Sequence, residues 1–278
     1  MDHADVLILG GGLVGSALAV ALDRHGLSAI VVDPADPAVT LSAGFDGRAS
    51  AVASASHKML DAIGVGAALA GKGCAICQIR VSDGLAPGKL DFIPAPDDAA
   101  LGTMYENRLI RRALYDAAMA AEQVDVRMQT RATTVERSER GVRALLTSGD
   151  TVTADLLVAA EGRQSPTREA AGINVARWQY DHEAIIGAFH HERSHQDVAY
   201  EIFYPDGPFA LLPLPDDETG HRCAIVWTVG KDQRAGMLKL SDRAFLAEAE
   251  KRMGGFLGRL YEVSPRTSYP LGFHHAAR

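Results

Sequence analysis

The spacing of apolar and polar positions changes several times along the chain, and each change predicts an element. Val6-Leu7-Ile8-Leu9 is an unbroken apolar run between Asp5 and Gly10, the pattern of a strand buried on both faces. Residues 16–24, SALAVALDR, concentrate alanine and leucine and place their polar residues late, which predicts a helix closed by Gly26 at its C-terminal cap. Ala29-Ile30-Val31-Val32 repeats the first pattern and ends in Asp33. Strand, helix and strand in this order make a βαβ unit with a parallel pair.

Residues 42–60, SAGFDGRASAVASASHKML, lead from a glycine-containing loop into a predicted helix, with Arg48 at the junction. The stretch 73–94 alternates about Ser82-Asp83-Gly84 and reads as a hairpin. From Asn107 the spacing is helical again. Leu109, Ala113 or Leu114, and Ala117 or Ala118 share one face, Arg111 and Arg112 take the other, and Arg108 stands at the start. Short strands are predicted at 124–129, 132–137, 142–147 and 151–154, as a small meander, and a buried strand at 156–160. Glu161-Gly162 then turns into a helix that begins at Ser165-Pro166, with proline in its favoured first position.

Beyond Arg177 the texture is different. Strands at 198–203, 210–212 and 223–229 are separated by the turn sequences YPDGP and PLPDDETG, which predicts a second, antiparallel-sheet domain. A helix over 241–260, capped by Ser241 or Asp242, follows it.

The first unit carries the most specific chemistry. Gly10, Gly12 and Gly15 fill a GxGxxG pattern, with Gly11, Leu13 and Val14 between them. Gly10 allows the tight turn, Gly12 lets a pyrophosphate approach the backbone, and Gly15 permits close helix–strand packing. The helix N-terminus presents free N–H groups and a positive dipole end to the phosphates. Asp33, about 20 residues on, is placed to accept hydrogen bonds from an adenosine ribose. Strand, turn, helix, strand and acid together predict a dinucleotide site. On the residues alone, Arg48 is either a guanidinium within reach of the pyrophosphate or a solvated surface arginine. Glu161-Gly162 is likewise either a second nucleotide contact or an ordinary turn.

Composition narrows the partners. A chain of 278 residues that is 47% hydrophobic makes one large or two ordinary domains, and a net charge of -7 argues against a nucleic-acid partner held by bulk electrostatics. Cys74, Cys77 and Cys223 are too few for a disulfide framework, and no basic segment precedes the first apolar run as in a secretory signal, so a reducing cytoplasm is expected. No run approaches the roughly 18 apolar residues of a membrane span, which limits membrane contact to the peripheral kind. The single CxxC of Cys74 and Cys77 cannot complete a tetrahedral zinc site, and both read as packing residues. His190-His191, His274-His275 and His195 show no metal-ligand spacing, and no metal is assigned.

The glycine loop with Asp33, DGRASA around Arg48, ENRLIRRAL, DLLVAAEGRQSPTR and above all the 203–213 segment FYPDGPFALLP resemble the class A FAD-dependent aromatic monooxygenases. Within them the chain is most similar to the ubiquinone-biosynthesis hydroxylases of the UbiH/COQ6 group. The resemblance implies an α/β fold: a Rossmann-like FAD-binding domain of the GR2, p-hydroxybenzoate hydroxylase-like type over 1–72 and 103–176, interleaved with an antiparallel-sheet substrate domain over 73–102 and 177–271. It implies that Gly10, Gly11, Gly12, Leu13, Val14 and Gly15 cradle FAD, that Asp33 holds its ribose, and that Arg48 and Arg108 flank it. Glu161-Gly162 matches a motif written Asp-Gly in the family, here one methylene longer.

The implied chemistry is monooxygenation of a phenolic ring, with NAD(P)H as electron donor and O2 as co-substrate. The implied substrate is a polyprenylated phenol of ubiquinone biosynthesis, with peripheral association to the inner membrane or to a biosynthetic complex. A small soluble aromatic, or a non-catalytic accessory module, are the alternatives. Pro208 in the proline loop, expected beside the flavin ring, and Arg222 on the neighbouring strand are the catalytic candidates. The family's second FAD motif, a strand ending in Gly-Asp followed by a helix, has no counterpart up to Arg278, so a C-terminally incomplete chain is expected.

Overall fold

The computed structural model describes residues 1–42, 44–97 and 99–277. Three sheets organise them. In the first, of six strands, His3–Leu9 lies at the centre, parallel to Ala29–Asp33 on one side and to Thr151–Ala159 on the other. Leu7, Ile8, Ile30 and Val31 are sealed from solvent, as the continuous apolar runs predict. The helix Leu13–Arg24 crosses over the sheet and buries Gly15, Ser16, Ala19 and Val20. The helix Asn107–Ala120 packs against it through Ile110, Ala113, Leu114 and Ala118.

The meander expectation needs correction at both ends. Val124–Met128 joins the parallel edge beside Ala29–Asp33, so only Ala132–Ser138, Gly141–Leu146 and Thr151–Ala159 run antiparallel. The predicted strands 151–154 and 156–160 are one strand. Its ladder to His3–Leu9 continues unbroken across the exposed Asp155, with Ala4 opposite Ala154 and Val6 opposite Leu156.

A small sheet of three strands follows, formed by Ala49–Ala53, Gly102–Glu106 and Cys74–Ile76. Residues 49–53, expected as helix, are therefore strand, and the helix starts at Ser54. Backbone pairing with Gly102–Glu106 overrides the helix preference of the alanines. Cys74–Ile76 also leaves the expected hairpin, which is confined to Gln78–Asp83 and Lys89–Phe92.

The third sheet has eight strands. Val175–His191, Gly220–Gly230, Gly207–Asp217 and Val198–Tyr204 form its antiparallel centre. The helix Asp242–Met253 covers one face, where Phe245, Ala249 and Met253 join Phe189, Phe209, Leu211 and Trp227. Ser241 caps its start, and Gly254 ends it at φ +70°. That left-handed residue stops the helix well short of the expected 260. The other face, with Ala188, Leu212, Leu214 and Ala224, turns toward Phe45 and Ala49 of the cofactor half.

Candidate functional site

The strand His3–Leu9 delivers the glycine loop to the carboxyl edge of the parallel sheet. Gly10 has φ +105°, and a Cβ there would stand 2.4 Å from the Ala160 carbonyl oxygen. A Cβ on Gly15 would meet the Gly10 carbonyl oxygen at 1.8 Å. Gly12 differs from both. It is the helix N-cap at φ -73°, no side chain caps the helix there, and a Cβ on it would meet nothing within 4 Å.

Gly12 looks into a cavity of about 580 Å³ that Gly10, Leu13, Val14, Asp33, Glu161 and Gly162 also line. Asp33 stands between the loop and the second strand. Its two carboxylate oxygens accept the N–H groups of Gly11 at 2.6 Å and Ala35 at 2.7 Å. These bonds fix the carboxylate at the rim of the cavity. Glu161 is engaged within its own turn, where its Oε2 accepts the Ser165 hydroxyl at 2.5 Å and the Thr167 N–H at 3.2 Å. It thereby caps the short helix Pro166–Ala170, and only the Gly162 backbone, at φ +80°, keeps the turn's open character.

Two further cavities lie beside the first, and one of them continues it as a trough. One, of about 230 Å³, shares Gly12, Leu13 and Asp33 with it and adds Ser16, Arg111 and Met128. The other, of about 560 Å³, lies between the cofactor half and the large sheet, and the turn carrying Glu161 and Gly162 reaches it through Arg163. Asp46, Arg48 and Asn107 line its polar side, and Ile186, Leu212, Ala224, Val226 and Tyr269 form the sheet side.

Arg111, assigned to the polar face of its helix, takes part in this trough. Its Nη2 donates to Asp46 at 2.8 Å, and its buried Nε has no partner among the described residues. A buried guanidinium N–H without an acceptor costs about 1–3 kcal/mol. Sequence reasoning missed it because Arg111 and Arg112 are indistinguishable in the pattern. Arg112 turns instead to the Leu41 carbonyl and to Asp116.

Arg48 precedes a strand, not a helix, and is half exposed. Its Nε and Nη2 donate to Asp46 at 3.0 and 2.6 Å. Burial alone would raise the Asp46 carboxyl, but the bonds from Arg111 and Arg48 outweigh it and bring it down from 3.8 to about 2. Between these values the unfolded chain takes up a proton that the folded chain refuses. Stability from this group is therefore complete above 3.8 and lost as pH falls toward about 2. In urea unfolding across that window, Asp46→Asn is expected to lose about 1–2 kcal/mol less than the unsubstituted chain. Equal acid sensitivity of the two proteins would remove Asp46 from that role.

Arg108 and Arg222, expected beside the cofactor and in the active site, meet at one acid. Both bind the buried Glu106, Arg108 at 2.5 Å and Arg222 at 2.8 Å, in a separate cavity of about 370 Å³. Pro208, expected beside the flavin ring, does not line the interdomain cavity. Residues 203–208 form the end of a hairpin, in which Phe203 pairs with Pro208 and Asp206 is tied to Arg252 of the covering helix. Leu212, four residues or about 13 Å further along the strand, is the part of the proline segment that lines the interdomain cavity.

The sequence model described as FAD binding domain matches residues 3–256. This chain belongs to that family. Within the family it belongs to the UbiH/COQ6 group of FAD monooxygenases. It is 44% identical over 275 residues to the ubiquinone hydroxylase UbiL of Rhodospirillum rubrum, covering 99% of this chain and 63% of that protein. It is 30% identical over 281 residues to 3-demethoxyubiquinol 3-hydroxylase of Escherichia coli, covering 98% of this chain and 69% of that one. The chain thus spans about two thirds of these relatives. Among solved structures, p-nitrophenol 4-monooxygenase PnpA from Pseudomonas putida DLL-E4 superposes with a TM-score of 0.76 at 17% identity, over all of this chain and 70% of its own, and so shares the fold.

The trough of this FAD-binding domain fits the cofactor by observations independent of that kinship. Two glycines admit no Cβ, a third faces open space at a helix N-terminus, and an arginine N–H is left without an acceptor beside it. An extended dianionic diphosphate answers to these features.

Proposed function

We propose that this chain is the FAD-holding and substrate-facing part of an NAD(P)H- and O2-using monooxygenase that hydroxylates the aromatic ring of a polyprenylated phenol in ubiquinone biosynthesis. The observation that carries the reading is the cavity of about 560 Å³ with one polar wall and one apolar wall, beside the nucleotide trough. A phenol has the same division. In this reading Gly10, Gly11, Gly12, Leu13, Val14 and Gly15 hold the pyrophosphate, Asp33 the ribose, and Arg111 with Arg48 the charge that remains. Bound FAD supplies two-electron reduction by NAD(P)H and activation of O2. The chain's own residues orient and shield. Ile186, Leu212, Ala224 and Val226 exclude water from the reacting ring, and Asp46 fixes both arginines in place.

Arg222 and Pro208 carry no catalytic role in this proposal. Arg222 holds Glu106 and Asp217, and Pro208 shapes a hairpin. A membrane-dwelling substrate is supported by the hairpin Gln78–Asp83 and Lys89–Phe92, at whose surface Leu85, Leu90, Phe92 and Ile93 are all about half exposed or more. Among the described residues no helix is long and apolar enough to cross a membrane.

The test is FAD titration by quenching of flavin fluorescence, for this chain and for a form extended to the length of its relatives. Both forms are then assayed for NADH or NADPH oxidation and ring hydroxylation. Saturable binding, with turnover of a polyprenylphenol in vesicles preferred over a soluble hydroxybenzoate, is the expected result. Binding by neither form would overturn the reading, and preference for the soluble phenol would overturn its prenylated part.

A further inference from the structure

Far from the glycine loop in sequence, three side chains with metal-ligating atoms meet where the Cys74–Ile76 strand approaches the turn between Val175–His191 and Val198–Tyr204. Cys74 Sγ, a ring nitrogen of His195 and a carboxylate oxygen of Asp197 all lie within 4.8 Å of one another. The Sγ to Asp197 Oδ1 distance is 3.3 Å, and His195 Nδ1 to the same oxygen is 3.7 Å. Bonds of about 2.0–2.3 Å at tetrahedral zinc set neighbouring ligand atoms roughly 3.3–3.6 Å apart. These two pairs already stand at or within a few tenths of an ångström of that spacing.

The backbone is strained at this point. Gln196 and Asp197 are consecutive non-glycine residues in the left-handed region, at φ +53° and +58°. Each such residue costs about 1–3 kcal/mol, and strain of this kind collects at functional positions. Here it folds His195 and Asp197 toward Cys74. The imidazole is held as a metal-binding ring is held. His195 Nε2 donates to the Leu214 carbonyl at 3.1 Å, which leaves Nδ1 as the acceptor. Nδ1 takes the Asp197 N–H at 3.0 Å, a contact an arriving ion would replace.

A buried histidine borders this set. His191 is sealed from solvent, and its ring centroid is 5.7 Å from that of His195. Its Nδ1 is bonded to the Arg193 carbonyl, and its Nε2 has no partner among the described residues. Neither of its ring nitrogens joins the cluster, so His191 borders the site and does not ligate in it.

We propose that Cys74, His195 and Asp197 form a site for one divalent transition-metal ion of the zinc class, with a solvent molecule completing the coordination. Thiolate and imidazole together favour zinc over magnesium or calcium. Binding forms an S–metal bond at Cys74 and releases the thiol proton to solvent, with no change of oxidation state. Cys74 belongs to the small three-stranded sheet and His195 to the turn of the large one, so the ion would staple the two sheets together.

The test is titration of the chain with Co2+, followed by the thiolate-to-cobalt charge-transfer absorption, and then displacement by Zn2+. One ion per chain is expected, with the band lost in Cys74→Ser and retained in Cys77→Ser, whose cysteine is exposed. Asp197→Asn, at a half-exposed position, guards against a folding failure in the first variant. It is expected to bind Co2+ at least about 10-fold more weakly while unfolding cooperatively. Absence of the band in the unsubstituted chain would overturn the proposal, as would a band that survives Cys74→Ser or an affinity unchanged by Asp197→Asn.

Discussion

Gly12→Ala is expected to weaken flavin binding about 100-fold while leaving the unfolding transition nearly where it was. The backbone at Gly12 has φ -73°, which any residue adopts, and an added Cβ meets nothing within 4 Å. The fold therefore has no need of glycine there, and the loss of a neutral N-cap costs less than about 1 kcal/mol. The methyl group instead projects into the two cavities that share this residue. If the pyrophosphate lies against the helix N-terminus, that space is its closest approach, and a methyl holds it off the N–H groups. A loss of about 3 kcal/mol is about 100-fold in the dissociation constant measured by flavin fluorescence.

Gly15→Ala separates the two uses of glycine in the same loop. Its Cβ would stand 1.8 Å from the Gly10 carbonyl oxygen, a backbone atom that cannot move without lifting the helix off the strand. Overpacking of this kind costs about 1–3 kcal/mol or more. Binding and stability should fall together in Gly15→Ala and apart in Gly12→Ala. Unchanged flavin affinity in Gly12→Ala would mean that the loop turns a strand into a helix and nothing else.

These glycines were legible because local backbone geometry dictates them: a tight turn, a close crossing and an open helix end are written within a few residues. The same holds for Pro166 at the first position of its helix and for Ser241 as a cap. What could not be read depends on contacts between distant segments. Residues 49–53 are a strand because Gly102–Glu106 lies beside them, and nothing near them in sequence says so. Arg108 and Arg111 differ by less than one helical turn in position, yet one meets Glu106 and the other enters the trough.

Pro208 was placed by the identity of its segment, but the strand's period put Leu212 at the cavity instead. The pairing of Cys74 with His195 and Asp197 joins residues more than a hundred positions apart, so ligand spacing along the chain could not register it. Family resemblance filled part of this gap for the cofactor. It offered nothing for the cysteine.

One contact that joins the two halves of the fold is also of the long-range kind. Glu106 ends a strand of the cofactor half and is 4% exposed. Its two oxygens take Arg108 and Arg222, and Arg222 extends from the large sheet, where it also meets Asp217 at 3.3 Å. Glu106→Ala leaves the Arg222 guanidinium, on a side chain 14% exposed, without its principal partner. Breaking a buried pair from one side costs about 3–5 kcal/mol, because the surviving charge keeps its desolvation cost. For a chain of this size the expected fall in melting temperature is roughly 10 °C.

Glu106→Gln keeps one oxygen and the shape, and should cost distinctly less. A double-mutant cycle between Glu106→Gln and Arg222→Met isolates the bridge between the halves, with a coupling of about 1–3 kcal/mol expected. Additivity of the two substitutions would assign the cost to Arg108, which lies in the same half as Glu106, and apolar contact, as between Phe45, Leu212 and Ala188, would then hold the interdomain cavity. Coupling would make Glu106 the residue that sets the distance between the nucleotide trough and the sheet facing it, and hence the width available to a ring held between them.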